Sequence, residues 1–219
     1  FFEDLQQEMP QLVGAQMLAT DKGQARSPRP PLQWKHQSVN YRVAGRDYSV
    51  SAGSFFQVNS TLLDKFVGVV TEDETGGLAW DLFAGVGLFS LALTERFRRV
   101  IAVESSAAAC RNLRHNLRAS RAEYVQASTM NFLRQAISLK QAAPDLVLLD
   151  PPRAGAGVEA AKMLADLGPR RIVYVSCDPA TLGRDLAALI QSGYRLLRLQ
   201  LVDMFPQTYH METIATLQR

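Results

Sequence analysis

Cysteine is scarce in this chain: Cys110 and Cys177 are the only two in 219 residues. They form neither a disulfide framework nor a zinc-ligand spacing, so a disulfide-stapled scaffold is excluded. A reducing cytoplasm is the expected compartment. No apolar run reaches the roughly 18 residues that a membrane-spanning helix needs, so no membrane partner is expected. The chain opens on Phe1-Phe2-Glu3, with neither an initiator Met nor a signal peptide, and reads as a piece of a longer protein. Internal repeats and low-complexity tracts are missing as well. Neither sign of charge dominates, with 24 Lys and Arg against 21 Asp and Glu and a net charge of +3. That balance permits a nucleic-acid partner without requiring one. What is plentiful is apolar side chain, 47% of residues. This suits one sizeable α/β domain with a smaller appendage, expected to be a monomer.

Residues 1 to 20 read as a helix or strand remnant, and 21–31, with Pro28, Pro30 and Pro31, as a loop. Residues 39–43 and 48–50 alternate as a hairpin around Ala44-Gly45-Arg46-Asp47. Beyond residue 60 the rhythm changes. Helices are expected over 61–70, 86–97, 106–119 and 180–192, and one more before residue 171. Apolar strands are expected over 78–83, 100–103, 145–150, 171–176, 196–202 and 212–217. Strands alternating with helices imply a mostly parallel, seven-stranded sheet covered on both faces. Two units follow: 1–47, a remnant of a β-rich segment, and 48–219, a Rossmann-like α/β domain.

Ligands of such sheets bind beyond the carboxyl ends of the strands. Asp81-Leu82-Phe83-Ala84-Gly85-Val86-Gly87 joins a strand to a helix there. Its glycines let the backbone turn tightly and approach a ligand. Ser90 stands where a dinucleotide fingerprint has its third glycine, which counts against a dinucleotide. The next strand ends on Glu104, whose carboxylate can accept both hydroxyls of a ribose. Asp150-Pro151-Pro152-Arg153 follows a fully apolar strand, and the prolines stiffen the exit from the sheet. An Asp so placed favours a site over a mere turn. Cys177, set among Ser176, Asp178 and Pro179, precedes a helix whose N-terminus should lower its pKa. Cys110 reads as buried filling.

Five motifs occur in order: Ser54-Phe55-Phe56-Gln57-Val58-Asn59, the Asp81–Gly87 loop, Leu149-Asp150-Pro151-Pro152-Arg153-Ala154-Gly155, Ser176-Cys177-Asp178-Pro179, and Asp203-Met204-Phe205-Pro206 with His210-Met211-Glu212. Together they resemble the RNA uracil-5-methyltransferase family, from about residue 39 to the C-terminus. The resemblance implies a class I methyltransferase fold, S-adenosylmethionine as methyl donor, and a transfer or ribosomal RNA as substrate. It implies that Gln57, Phe83, Gly85, Glu104 and Asp150 touch the cofactor, that Cys177 is the nucleophile and that Glu212 is the base. Phe55 and Arg153 are assigned to the RNA; Phe55 or Phe56 can stack on or wedge beside an extruded base, with core packing the alternative for either ring. There are departures. Leu88 stands where the family often has Asn, and Asp178 replaces the Asn of Ser-Cys-Asn-Pro, which can add a charge.

The chemistry explains these residue types. Carbon 5 of uracil is a weak nucleophile until a thiolate adds at carbon 6 and turns the ring into an enolate. After methyl transfer a base must remove the carbon-5 proton before the cysteine can leave. The product is 5-methyluridine. A cytosine-5 methyltransferase uses similar chemistry but commonly carries Pro-Cys where this chain has Pro151-Pro152. A non-catalytic RNA-binding fragment is the alternative of another class, opposed by the intact Cys177 and Glu212. Arg111, Arg114, Arg118 and Arg121 make a basic stripe at helical spacing, either a solvated face or a phosphate-binding one.

Overall fold

The computed structural model describes residues 2–17, 32–35, 38–71 and 73–219. The expected proline-rich loop over 21–31 lies outside them. The chain begins with α1 (Phe2–Glu8) and two short strands, β1 (Gly14–Met17) and β2 (Leu32–Lys35), which pair antiparallel. The hairpin follows, as β3 (Ser38–Val43) and β4 (Arg46–Ser51). Its turn is only two residues, Ala44 and Gly45, both at positive φ, which matches the right-handed twist of the flanking strands. The domain boundary expected after residue 47 falls inside β4.

The remaining elements alternate. They are α2 (Leu63–Thr71), β5 (Gly76–Leu82), α3 (Leu88–Leu93), β6 (Phe97–Glu104), α4 (Ala107–Leu117), β7 (Ala122–Gln126) and α5 (Thr129–Ser138). Then come β8 (Leu146–Leu149), α6 (Val158–Leu167), β9 (Arg171–Ser176), α7 (Pro179–Gln191), β10 (Arg195–Val202) and β11 (Glu212–Gln218). Seven strands form one sheet in the order β10-β11-β9-β8-β5-β6-β7. β5 to β9 run parallel, and β11 inserts antiparallel between β9 and β10. The order reverses between β5 and β8. A crevice opens there at the carboxyl ends, the usual place for a ligand in an open α/β sheet.

Burial explains why β8 is central. Leu146, Val147, Leu148 and Leu149 are all fully buried, so neither face of the strand can meet water. Alternate residues feed two layers. Trp80, Leu82, Val147, Leu149 and Tyr174 pack under α5, α6 and α7. Ala79, Leu146, Leu148, Val173 and Ile214 pack under α2, α3 and the hairpin. Asp81, two residues after Ala79, shares this second face, and the same alternation carries Asp150 and Glu212 toward it.

The hairpin is pinned to the sheet domain. Tyr48 is buried and donates to the Leu88 carbonyl at 3.0 Å. Asn116 of α4 accepts the Ser49 amide at 2.9 Å and donates to the carbonyls of Ser49 and Val86 at 3.1 and 2.9 Å. Asn116→Ala would remove the side-chain partner of one buried and two part-buried backbone groups. A loss of about 2–3 kcal/mol in denaturant unfolding is expected, with faster amide exchange in β4.

Several boundaries differ from the sequence reading. The helix expected over 86–97 spans only Leu88–Leu93, because left-handed Gly87 caps it and Phe97 already pairs with Gly76 in β6. Phe83 leaves the strand with φ +67. β7 and α5 were not foreseen. β7 is an edge strand of Ala-Glu-Tyr-Val-Gln with three exposed residues, so it lacks the apolar run that marks the central strands. No described helix is long and apolar enough to cross a membrane.

Candidate active site

The loop after β5 supplies the first wall. Gly85 takes φ +57, and a Cβ there would meet nothing within 4 Å, so the glycine faces open space. Its amide donates to Glu104 Oε2 at 2.9 Å, and the Ser106 amide donates to Oε1 at 2.6 Å. Glu104 therefore ties the glycine loop to the start of α4 and keeps a half-buried carboxylate at the end of β6. Phe83, half-buried, packs against the α5–α7 layer. Cys110 is buried and donates to the Glu104 carbonyl at 3.3 Å, with its thiol pushed up by burial and by Glu104. It is packing, as expected.

The Ser54–Asn59 loop follows β4. Asn112 Nδ2 donates to Ser51 Oγ and Ser54 Oγ at 2.8 and 2.7 Å, fixing where the loop leaves β4. The two phenylalanines diverge. Phe56 is half-buried and packs its ring 4.6 Å from Tyr41, whereas Phe55 is 68% exposed. Gln57 is buried, and its Oε1 has no hydrogen-bond partner. An orphaned buried carbonyl costs free energy unless something else fills its site.

The far wall is acidic. Asp81 is fully buried, accepts the Ser90 hydroxyl, and leaves Oδ1 unpartnered. Burial raises its pKa to about 7. Asp150 is pushed well above the usual carboxylate range by burial, then by Glu212 and Asp81. The antiparallel register sets Glu212: Thr213 pairs with Ser176, so Glu212 comes opposite the residue after Ser176, which is Cys177. Glu212 is 3% exposed, its Oε2 lacks a partner, and burial raises its pKa to about 7. Cys177, Glu212 and Asp150 thus converge from the ends of β9, β11 and β8.

One expectation is corrected. The Cys177 thiol is pushed up, not down, by burial first and by Glu212 next; Arg153 works the other way. Asp178 is the N-cap of α7 and accepts the Thr181 amide at 2.9 Å. The Asp found in place of the family's Asn is therefore a helix cap.

Arg153 Nη2 lies 2.8 Å from His210 Nε2, and the His210 ring lies tilted, its centroid 4.1 Å from that of Tyr209, itself 90% exposed. The stripe residues Arg111, Arg114, Arg118 and Arg121 lie on or just beyond α4 and are all exposed. Sequence reading missed the Asp81–Ser90 pair and the orphaned Gln57 oxygen, because isolated polar letters carry no sign of burial.

Known proteins resemble this chain over most of its length. A 23S rRNA (uracil(1939)-C(5))-methyltransferase RlmD of Pseudomonas fluorescens is 40% identical over 196 residues, which cover 82% of this chain and 41% of that protein. An uncharacterized RNA methyltransferase of Thermotoga maritima is 40% identical over 181 residues, 78% of this chain and 39% of the relative. The crystal structure of Pyrococcus abyssi tRNA (uracil-54, C5)-methyltransferase in complex with S-adenosyl-L-homocysteine superposes with a TM-score of 0.78 at 29% identity. That match covers 97% of this chain and 52% of the archaeal one. The chain thus spans about two-fifths of the length of these curated relatives. The model of the tRNA (uracil-5-)-methyltransferase family matches residues 6–219, and the chain belongs to that family.

Proposed function

We propose that this chain carries the catalytic centre that moves a methyl group from S-adenosylmethionine to carbon 5 of a uridine in RNA, through a covalent cysteine adduct. One observation carries the reading. A half-buried thiol stands opposite a buried, unpartnered glutamate at the carboxyl ends of the sheet. Family membership and the named activities of the RlmD relative and the archaeal neighbour support it.

The residues present fit the cofactor. Glu104 offers its carboxylate to a ribose, Gly85 leaves room for close approach, and Phe83, Gln57 and Asp150 complete the lining. S-adenosylmethionine, when bound, supplies an electrophilic methyl group. The chain's own residues do the rest. The half-exposed Cys177 thiol gives its proton to solvent, and the resulting thiolate bonds to carbon 6 of the uracil, the carbon 5–carbon 6 π pair moving toward the carbonyl to give an enolate whose carbon 5 is nucleophilic. Once carbon 5 bears the methyl, Glu212 takes its proton, and the electron pair returns to expel the thiolate. A glutamate whose pKa is raised to about 7 accepts a proton better than an ordinary carboxylate would. Phe55, 68% exposed, is free to stack on an extruded base, and the Arg153 guanidinium is suited to a phosphate.

The test is mass spectrometry of nucleosides from unmodified transfer or ribosomal RNA incubated with the chain and S-adenosylmethionine. New 5-methyluridine is expected; 5-methylcytidine instead would overturn the base assignment. Cofactor binding is checked apart from RNA. Glu104→Ala should weaken S-adenosylhomocysteine binding by about 1.5–3 kcal/mol in calorimetry, the scale of hydrogen bonds to a charged group. Equal affinity would remove Glu104 from the ribose site.

A further inference from the structure

The loop that follows Asp150-Pro151-Pro152 is held by side chains of β9 and α7. Thr181 Oγ1 donates to the Arg153 carbonyl at 2.9 Å, and Arg184 Nη2 to the Ala154 carbonyl at 2.8 Å. The Ala156 amide donates to the Tyr174 hydroxyl at 2.8 Å, and the Gly157 amide to Asp185 Oδ2 at 2.9 Å. Asp185 joins these contacts. Its side chain is fully buried, and it accepts the Tyr174 hydroxyl at 2.7 Å and Arg184 Nε at 2.8 Å. Burial opposes its ionisation, but the bonds from Arg184, Tyr174 and Gly157 outweigh burial and hold the carboxyl below its ordinary value. Gly155 sits in the middle at φ +76, where a Cβ would come within 2.6 Å of Asp185 Oδ2 and 2.7 Å of Arg184 Nη2. The cradle has no slack.

A loop does not need a buried carboxylate to be stable. Burying one is costly, and apolar replacements of buried ionic groups are often as stable or more so. A fully satisfied buried network does something else well: it fixes one geometry. The geometry concerned is that of the site. β9 ends at Ser176, Cys177 follows, and α7 begins at Pro179. The two elements that carry the thiol therefore also clamp the loop that carries Arg153.

We propose that Asp185 is a positioning residue: with Tyr174 and Arg184 it fixes the Arg153–Gly157 loop so that the Arg153 guanidinium stays within electrostatic reach of the Cys177 thiol. The proposal rests on the reading of Cys177 as the nucleophile. The charges facing that thiol are Glu212 from β11, Asp150 from the end of β8, and Arg153 from the loop. Both carboxylates oppose the thiolate, and Arg153 is the one that favours it, with His210 as its own partner.

The experiment measures iodoacetamide alkylation of Cys177 against pH, by intact-protein mass, in a Cys110→Ala background so that one thiol reacts. Asp185→Asn and Tyr174→Phe are compared with their parent, and each is repeated on Arg153→Ala. Tyr174→Phe changes no charge at neutral pH, so it keeps the test open should Asp185→Asn fail to fold. Both variants should move the midpoint up by roughly half a pH unit, a roughly threefold slower reaction near neutrality. Neither should add anything once Arg153 is gone. Profiles superimposing on the parent, or an undiminished effect on Arg153→Ala, would overturn the proposal and leave Asp185 as fold bracing alone. The assay needs neither RNA nor cofactor. A blank in the nucleoside assay would sink the methyl-transfer reading on which this proposal rests, whereas flat alkylation profiles would sink the Asp185 proposal alone.

Discussion

Cys177→Ala is expected to abolish methyl transfer, and Glu212→Gln to stop the reaction one step later. The difference follows from order. In the proposed mechanism Cys177 makes the first bond, so without its sulfur carbon 5 would not be activated and no RNA would become attached to protein. Glu212 would act last. Gln keeps the size of the side chain and its hydrogen bonding but cannot take the carbon-5 proton. Turnover should fall by about 10²–10⁴, the usual share of a general base, while single-turnover methyl transfer persists. Stopped samples of Glu212→Gln should therefore hold methylated RNA bound to protein. Free turnover by Glu212→Gln would pass the base role elsewhere, with His210 the first candidate. The pH profile adds a check. Both the thiol and Glu212 are pushed up, Glu212 to about 7. Activity should thus climb through neutrality, because both groups must lose a proton to act.

Glu212→Gln is also expected to make the protein more stable above neutral pH. Glu212 is 3% exposed and unpartnered at Oε2, beside Asp150, whose own proton is held by burial and by Glu212. Burial moves Glu212 from its ordinary 4.5 to about 7, so the folded state binds the proton more tightly than the unfolded chain does. Stability from this group is then full below pH 4.5 and declines until the pH passes about 7. Above that, the wild type carries a buried carboxylate at a cost of about 1–3 kcal/mol, which Gln removes. Denaturant unfolding at several pH values reads this directly. The gain should be largest above neutrality and shrink toward pH 4.5. A variant less stable than the wild type at high pH would mean that the charged form is satisfied by contacts the fold provides. Such a trade of stability for function is usual where a site needs a shifted carboxyl.

Much of the site was legible because its chemistry needs rare letters in fixed places. The Gly85 turn, Glu104 at a strand end, Asp150 before two prolines and Cys177 before a helix all announce themselves through spacing. The central strands were legible for a simpler reason: β8, and β9 between Ile172 and Val175, are buried on both faces and so are written in apolar residues. β7, half exposed at the sheet edge, is not. The direction of the thiol shift was illegible in principle. It depends first on burial and then on Glu212 arriving from 35 residues later in an antiparallel strand. The Asp185 brace was hidden likewise, since Tyr174, Asp185 and Gly157 meet only after β9 and α7 pack. Side chains that act through burial are visible in the folded molecule and not in the string.

The central claim is that the Cys177 sulfur bonds to carbon 6 of the uridine, and one measurement reaches it directly. RNA carrying 5-fluorouridine at the target position is incubated with S-adenosylmethionine and the protein, in full length as well as in the present span, then run on a denaturing gel. Fluorine cannot leave carbon 5 as a proton does, so Glu212 has nothing to remove and the adduct should persist. The wild type should give a shifted band with the mass of protein plus methylated RNA, and Cys177→Ala should give none. A shifted band from Cys177→Ala, or methylation of ordinary RNA by that variant, would contradict the covalent mechanism.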